Sequence, residues 1–379
     1  MASARPRLIT ILGTRPEIIK CSPLLPLFDQ RYEHTLVHTG QHYDDTMDAR
    51  FFRELGLRAP DHTLGVGSGP PASQVARMLT GLEPILQVGM PDWVFVQGDT
   101  NSTLAGALAA AKLGYRVVHL EAGCRSFNRA MPEETNRVLV DHIADLCLAP
   151  DTAAAAHLAA EGIAAERIVI VGSTAVDACL RVTTLATPSR PIRPAPGPAV
   201  RDGYLVATIH RAENTTPARL AGLLGALADL SVRWPVLFPV HPRTAAVMRD
   251  LDLSLPVRVR CCEPLGYAQM MRTIQASRGL LTDSGGLQEE AAVLGVPTFI
   301  LRQETEWREL VESGHHRLVG ADRAAIVAAV EEAFDGGPRE AAMRAPVGRE
   351  RAGATARVLA ALAAPEEVAP APARYAALV

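Results

Sequence analysis

Short apolar runs alternate with longer helical stretches along this 379-residue chain, stop, and then begin again. That doubled alternation constrains the fold more than any other feature. In the first half, Leu8–Leu12, His34–Thr39, Trp93–Gln97, Val117–Glu121, Leu146–Ala149 and Ile168–Val171 read as strands. Helical patterns over Glu17–Phe28, Asp44–Leu55, Ser73–Val88 and Thr103–Leu113 fall between them. Near-continuous apolar strands joined through helices predict a parallel sheet covered on both faces. The segment Pro188–Pro198 holds too much proline for a helix or a central strand and reads as an interdomain connection. The pattern restarts at Tyr204–Thr208 and continues through Val236–Pro239, Val257–Val259, Gly279–Thr282, Thr298–Leu301 and Arg317–Val319. A last helical segment, Arg339–Leu362, precedes an Ala/Pro tail from Ala364 that is expected to be mobile.

The expected fold class is therefore α/β, with two Rossmann-like doubly wound domains facing across a cleft. The first spans residues 1–187 and the second 204–338, with 188–203 as linker. Residues 339–363 are expected to pack back toward the first domain, leaving 364–379 as the tail. Ligands in such sheets bind beyond the carboxyl ends of the strands, so a residue just after a strand is a candidate for the site.

Composition narrows the function classes. Hydrophobic residues make up 48% and charged residues 21%, enough apolar surface to build cores rather than leave the chain disordered. A net charge of −3 gives no basic field for nucleic acid or a membrane surface. No apolar stretch reaches the roughly 18 residues a bilayer span needs, and the start lacks a signal-peptide core. The six cysteines show no Cys-x-x-Cys spacing, and a disulfide between adjacent Cys261 and Cys262 would be strained. Reduced thiols and a cytoplasmic location follow. The eleven histidines form no metal-ligand spacing, so no structural metal is expected. Of the 38 basic residues only Lys20 and Lys112 are lysines, which fits GC-biased coding and also singles out each lysine.

The strand ends carry the chemistry. After Leu8–Leu12 comes Gly13-Thr14-Arg15-Pro16-Glu17, with Lys20 a turn later. Arg15 and Lys20 suit an anion near this helix start; the plain alternative is a strand-to-helix turn with solvated charges. Asp99, after Trp93–Gln97, is either a helix cap or a cleft residue, since neighbouring residues compete for the cap. Glu121 ends an apolar strand, where burial and nearby arginines tune a carboxylate for acid–base work. Glu133 and Glu134 open a helix and complement its dipole, a reading that suffices for Glu134. Asp99, Glu121 and Glu133 on loops after successive strands crowd like charges in a way that points to function.

In the second half, His210-Arg211 after Tyr204–Thr208 suits an anion or proton transfer, against the alternative of a structural histidine. His241-Pro242-Arg243 repeats that chemistry one strand on. The run Thr282-Asp283-Ser284-Gly285-Gly286-Leu287-Gln288-Glu289-Glu290 takes a strand through a glycine turn into a helix whose free amides suit a diphosphate. Glu290, a turn inside, is placed for ribose hydroxyls. The glycine spacing matches neither a dinucleotide fingerprint nor a P-loop.

Taken in order, Gly13-Thr-Arg-Pro-Glu17, Thr39-Gly-Gln-His42, Gly98-Asp-Thr-Asn-Ser-Thr103, Glu121-Ala-Gly123, Pro132-Glu-Glu134 with Asn136-Arg137, His210-Arg211 and Thr282–Glu290 resemble the non-hydrolysing UDP-N-acetylglucosamine 2-epimerase family. The resemblance runs from about Leu8 to Leu362. It implies a glycosyltransferase-B-like pair of domains, a homodimer, and no added redox cofactor or metal. It implies interconversion of UDP-N-acetylglucosamine and UDP-N-acetylmannosamine, with UDP eliminated to a 2-acetamidoglucal and added back. By resemblance, Arg15, Lys20 and His210 act at the phosphates or sugar, Arg137 binds substrate, Ser284, Gly285 and Gly286 hold the diphosphate, and Glu290 the ribose. Asp99, Glu121 and Glu133 supply acid–base groups, with His210 counted among the catalytic residues. Gln41, Arg211 and His241 fall at motifs that in many bacterial members form a second, activating UDP-N-acetylglucosamine site.

The chain departs from the family in two places. Trp307 replaces a substrate-contacting arginine, leaving that contact absent or made by Arg302 or Arg308, and Met270 stands where some members place an aromatic residue at the uracil. Some relatives with this Trp act on other UDP-sugars, including diacetamido-uronic acid derivatives. A hydrolysing epimerase or glycosyltransferase on the same scaffold is the alternative reaction class, disfavoured by the carboxylates. A UDP-sugar sensor is a third reading.

Overall fold

The computed structural model describes residues 5–41, 51–184, 203–250, 255–305 and 307–363. Two compact units account for the chain, Met1–Ala178 with Arg351–Val379 and Cys179–Glu350. The change from one to the other falls inside the helix Thr174–Thr184. The expected connection Pro188–Pro198, the tail from Ala364, His42 and the expected helix before Phe51 lie outside the described residues.

The first unit holds seven parallel strands: β1 (Arg7–Leu12), β2 (Glu33–His38), β3 (His62–Thr63), β4 (Trp93–Gln97), β5 (Arg116–Leu120), β6 (Leu146–Ala149) and β7 (Ile168–Ile170). They lie in the order β3-β2-β1-β4-β5-β6-β7. In register, Ile9 stands beside Thr35 on one side and Val94 on the other. Ile9, Ile11, Val94 and Val96 join Leu82, Leu86, Ala105 and Ala109 in one core. Helix Asn101–Lys112 presents an alanine-rich face to it. A methyl on Gly106 would come within 3.0 Å of Val96 and 3.1 Å of Ile11, so the small face sets how closely this helix lies on the sheet.

The end of the chain completes this unit. Helix Ala354–Ala363 buries Val358, Leu359 and Leu362. Asp177 accepts the backbone N–H groups of Gly353 and Thr355, each at 2.7 Å, and so serves the open end of that helix from a distant part of the chain. Arg357 donates to the Val171 carbonyl at 2.7 Å, and the Ser173 amide donates to that of Arg351 at 3.0 Å.

The second unit holds six parallel strands: β8 (Leu205–Thr208), β9 (Val236–Pro239), β10 (Val259–Cys262), β11 (Gly279–Thr282), β12 (Thr298–Ile300) and β13 (His316–Leu318). Their order is β10-β9-β8-β11-β12-β13. Its core is built round edge-on aromatic pairs, Trp234 with Phe334 and Phe299 with Phe334. Each sheet reverses direction between its own first and fourth strands, the arrangement of a doubly wound fold, with the crevice at that reversal available to ligands. Both units are thus Rossmann-like, as the alternating pattern led us to expect.

Four elements differ from expectation. The helix over Glu17–Phe28 is two, Arg15–Cys21 and Leu25–Arg31, because Pro23 and Pro26 suit the start of a new helix and not the middle of an old one. The segment Arg339–Leu362 likewise divides into Pro338–Arg344 and Ala354–Ala363, interrupted around Pro346. Strand β10 begins at Val259, not Val257, whose side chain is exposed. The two-residue β3 carries too little pattern to be seen in sequence.

Candidate active site

In the first unit the direction of winding reverses between β1 and β4. Gly13-Thr14-Arg15 leave one strand and Gly98-Asp99-Thr100 the other. Glu17, fully buried, fastens these loops together. One of its oxygens accepts the Gly13 N–H at 3.0 Å, and the other accepts the hydroxyls of Thr100 at 2.8 Å and Thr103 at 3.2 Å. Burial raises its pKa against the pull of those donors. A cavity of about 650 Å³ opens here, lined by Arg15, Gln41, Asp99, Asn101, Glu133 and Asn136 among others.

The cap of helix Asn101–Lys112 is Thr100, whose hydroxyl accepts the Thr103 N–H, so Asp99 is released from capping. Its carboxylate pairs with Arg137, which also donates to Glu134 at 2.9 Å. Asn136 holds the Asp99 carbonyl at 2.8 Å. Glu121 adopts a left-handed backbone, φ +69°, unusual for a residue with a side chain. Its Oε2 accepts from Lys20 Nζ and from Gln97 Nε2, both at 2.7 Å. Lys20 therefore stands beside a candidate base, a pairing across 101 residues that the helix-start reading did not anticipate.

Arg15 lies over the Phe51 ring at 5.5 Å. Glu133 is exposed at the cavity. Glu134 does more than complement a helix dipole. It is buried and accepts the amides of Ser126 and Phe127 at 3.0 and 2.9 Å, fastening the loop ahead of its helix. Burial pushes its pKa up, but those donors and Arg137 bring it down to about 2. Gln41 gives its side-chain oxygen to the amide and hydroxyl of Ser102 at 3.1 and 2.8 Å.

In the second unit the reversal lies between β8 and β11, and Asp283 organises it. Its carboxylate is fully buried and accepts the His210 and Arg211 amides, Asn214 Nδ2 at 3.0 Å and His210 Nδ1 at 2.8 Å. Burial alone would raise its pKa; the His210 ring and the other donors outweigh this and lower it. With Nδ1 bound to Asp283, the partly exposed ring offers Nε2. The His241 ring lies 5.8 Å from that of His210, and burial followed by the His210 charge lowers its pKa. Arg243 donates to the His210 carbonyl at 3.3 Å.

Ser284 caps helix Gly285–Leu294 without a side-chain bond, and its first turn opens with two glycines. Nothing lies within 4 Å of where a Gly286 Cβ would be, so the backbone there can be approached closely. Glu290 lies a turn further in, beside the buried Tyr267, whose pKa is driven well up by burial and then by the Glu290 charge. Trp307 turns its indole N–H onto the Gly285 carbonyl at 3.0 Å, fastening the glycine turn from the position where the family motif has arginine. Arg302 is buried and Arg308 exposed. A second cavity of about 740 Å³, lined by Val240, Pro242, Met248, Arg249, Cys261 and Cys262, adjoins the His241–Arg243 loop.

Sequence reasoning missed Glu17, Gln97, Asp283 and the buried pair His119 and Asp141 as site-building residues. Two signals existed. His119 precedes Glu121 by two residues, the sequence spacing of one strand face, and Glu134, Arg137 and Asp141 share a helix face at spacings of three and four. Among the described residues no group of three His, Cys, Asp or Glu is arranged to hold a metal ion, and no helix is long and apolar enough to cross a membrane.

Two parallel doubly wound units with glycine turns at their reversals define a glycosyltransferase-B-like protein. The fold is shared with the calicheamicin glycosyltransferase CalG4 at a TM-score of 0.58, where 18% identity supports likeness of fold alone. Within that class, residues 28–363 match the family model described as UDP-N-acetylglucosamine 2-epimerase, and the chain belongs to this family. It is a nucleotide-sugar 2-epimerase. A UDP-N-acetylglucosamine 2-epimerase of Methanococcus maripaludis is 42% identical over 85% of this chain and 90% of its own. A UDP-2,3-diacetamido-2,3-dideoxy-D-glucuronate 2-epimerase of Pseudomonas aeruginosa is 43% identical over 85% and 90%. The Methanocaldococcus jannaschii UDP-GlcNAc 2-epimerase, solved in complex with UDP-GlcNAc and UDP, superposes at a TM-score of 0.73 with 38% identity, covering 94% of this chain and 99% of that one.

Proposed function

We propose that this chain interconverts UDP-N-acetylglucosamine and UDP-N-acetylmannosamine by eliminating UDP and adding it back. A proton leaves C2 as the C1–oxygen bond to UDP breaks, giving a 2-acetamidoglucal. Re-addition of UDP at C1 with proton delivery to the opposite face of C2 completes the inversion, so atoms and electrons balance with no external oxidant. The C2 proton is weakly acidic until positive charge builds at C1, so stabilising the departing diphosphate carries much of the barrier.

In this reading Arg15, His210, Ser284, Gly285 and Gly286 serve the diphosphate, Glu290 the ribose and Arg137 the sugar. Asp99, Glu121 and Glu133 move protons on and off C2. The observation that carries the reading is the Lys20–Glu121–Gln97 cluster: a carboxylate at a strand end, held by a cation and an amide donor on a single oxygen. Its other oxygen can face a substrate hydrogen, and Lys20 can answer charge developing nearby. Gln41, Arg211 and His241 are proposed for an activating second UDP-sugar site. Cytoplasmic location and a homodimer complete the proposal; light scattering of the purified protein tests the dimer.

Incubation with UDP-N-acetylglucosamine in deuterated water, followed by NMR, tests the reaction. The manno epimer should appear with deuterium at C2 and only traces of free UDP. Stoichiometric UDP release would instead mean hydrolysis or transfer. The Pseudomonas aeruginosa relative supports a second reading, in which the substrate is UDP-2,3-diacetamido-2,3-dideoxy-D-glucuronate. Exchange with that sugar alone would select it.

A further inference from the structure

His119 and Asp141 are fully buried and have no part in the proton transfers above. His119 stands on β5, two residues before Glu121. Both of its ring nitrogens meet acceptors: Nδ1 lies 2.6 Å from Asp141 Oδ1, and Nε2 lies 2.8 Å from the Gly98 carbonyl oxygen. A neutral imidazole has one N–H and satisfies one acceptor, so two acceptors select the doubly protonated ring. The second Asp141 oxygen accepts the Gly123 N–H at 3.0 Å and the Arg125 guanidinium at 2.7 Å. Arg125 then grips both oxygens of Glu161, at 2.7 and 2.8 Å. Two cations and two carboxylates balance, as a buried cluster requires.

The two backbone groups held by this cluster flank the candidate proton carriers. Gly98 immediately precedes Asp99. Gly123 follows Glu121 by two residues, and Gly98, Glu121 and Gly123 all have positive φ. Glycine takes such a conformation freely, but in Glu121 it persists only where the surroundings impose it.

We propose that His119 and Asp141 form a buried charged clamp that positions Asp99 and Glu121, His119 through the Gly98 carbonyl and Asp141 through the Gly123 amide. Both are positioning residues for the epimerisation proposed above. The charged groups acting on the ring are Asp141 and Glu121; Arg125 holds the other Asp141 oxygen with Glu161 behind it, Lys20 holds Glu121, Cys147 stands beside His119 on β6, and Arg167 donates to the Asp141 carbonyl at 3.3 Å. Burial opposes charge on His119, but Asp141 and the Gly98 carbonyl outweigh it and raise its pKa.

Two measurements test the clamp. In His119→Asn, the amide nitrogen stands near Nδ1 and the Gly98 contact is lost. The rate of C2 deuterium exchange should fall about a hundredfold in kcat, the scale of a small misplacement of reacting groups, with KM little changed. His119→Gln, which reaches toward Gly98, should recover part of that loss. A folded His119→Asn enzyme with full kcat, or a loss confined to KM, would overturn the proposal. The second measurement needs neither substrate nor variant stability: 15N NMR of the histidine-labelled wild-type protein should show both His119 ring nitrogens protonated at neutral pH. A single neutral tautomer would overturn the clamp even if the enzyme is active. Absence of exchange by the wild-type enzyme would instead count against the substrate reading.

Discussion

Replacing Asp283 with asparagine changes one atom and should disable the second unit's chemistry. One carboxylate oxygen, Oδ2, receives three donors: the amides of His210 and Arg211 at 3.0 and 2.9 Å, and Asn214 Nδ2 at 3.0 Å. The asparagine oxygen must stay on that crowded side, which turns its NH2 toward His210 Nδ1. Two donors then face each other unless the ring moves its proton to Nε2, so the nitrogen left for substrate exchanges acceptor for donor character. Loss of charge also weakens the remaining bonds, since hydrogen bonds to charged groups contribute about 1.5–3 kcal/mol and neutral ones nearer 1. A net loss of about 2 kcal/mol follows, or about 4–8 °C in the Tm of a unit the size of Cys179–Glu350. Turnover should fall by about two to three orders of magnitude, the usual cost of losing an oriented proton or anion partner. The sign of the pH effect is fixed by the lowered Asp283 pKa. Its contribution is present above the unfolded value near about 3.9 and is lost as pH falls through the folded one, so the variant should lose less stability on acidification than the wild type. Initial rates of epimerisation and thermal melts at neutral and acid pH measure all three. Asp283→Asn with wild-type turnover and Tm would refute the reasoning.

Lys20→Ala should reduce deuterium exchange at C2 by about a hundredfold with little change in stability, because Glu121 loses its cationic partner. Lys112→Arg, at an exposed helix end, should leave exchange unaltered, and equal activities in the two variants would speak against a role for Lys20. Gly123→Ala places a methyl against the Ala154 carbonyl at φ +80°, and denaturant unfolding should register a loss of about 1–3 kcal/mol from backbone strain plus the cost of the clash. Glu134→Gln should destabilise the 126–127 loop at neutral pH. Because the Glu134 pKa is lowered to about 2, its stabilisation is lost as pH falls from the ordinary carboxylate range toward that value. Acid melts of the variant should be flatter over that interval.

The central strands were legible because a parallel strand buried on both faces must be apolar along its length, as β4 and β11 are. The strand ends were legible because polar residues following such a run have few places to go but the crevice. Pairing was not legible. Lys20 meets Glu121 across 101 residues, and Asp283 meets Asn214 across 69, distances that only the strand order brings together. Asp99 shows how local competition hid the answer: Thr100 and Thr103 cap each other, and the carboxylate they displace is released to Arg137. The interrupted helices were misread because apolar spacing continues through Pro23 and past Pro346 even though the backbone cannot.

Since helix Ala354–Ala363 belongs to the first unit, that unit's chain is interrupted by the whole of the second. On the ribosome the order of completion is therefore reversed. Residues 179–350 have all emerged before Asp177 can meet Gly353 and Thr355, so the unit begun first is the one finished last. Until then its final helix is unmade and the seat for it stands open, an interval in which a nascent-chain chaperone has apolar surface to hold.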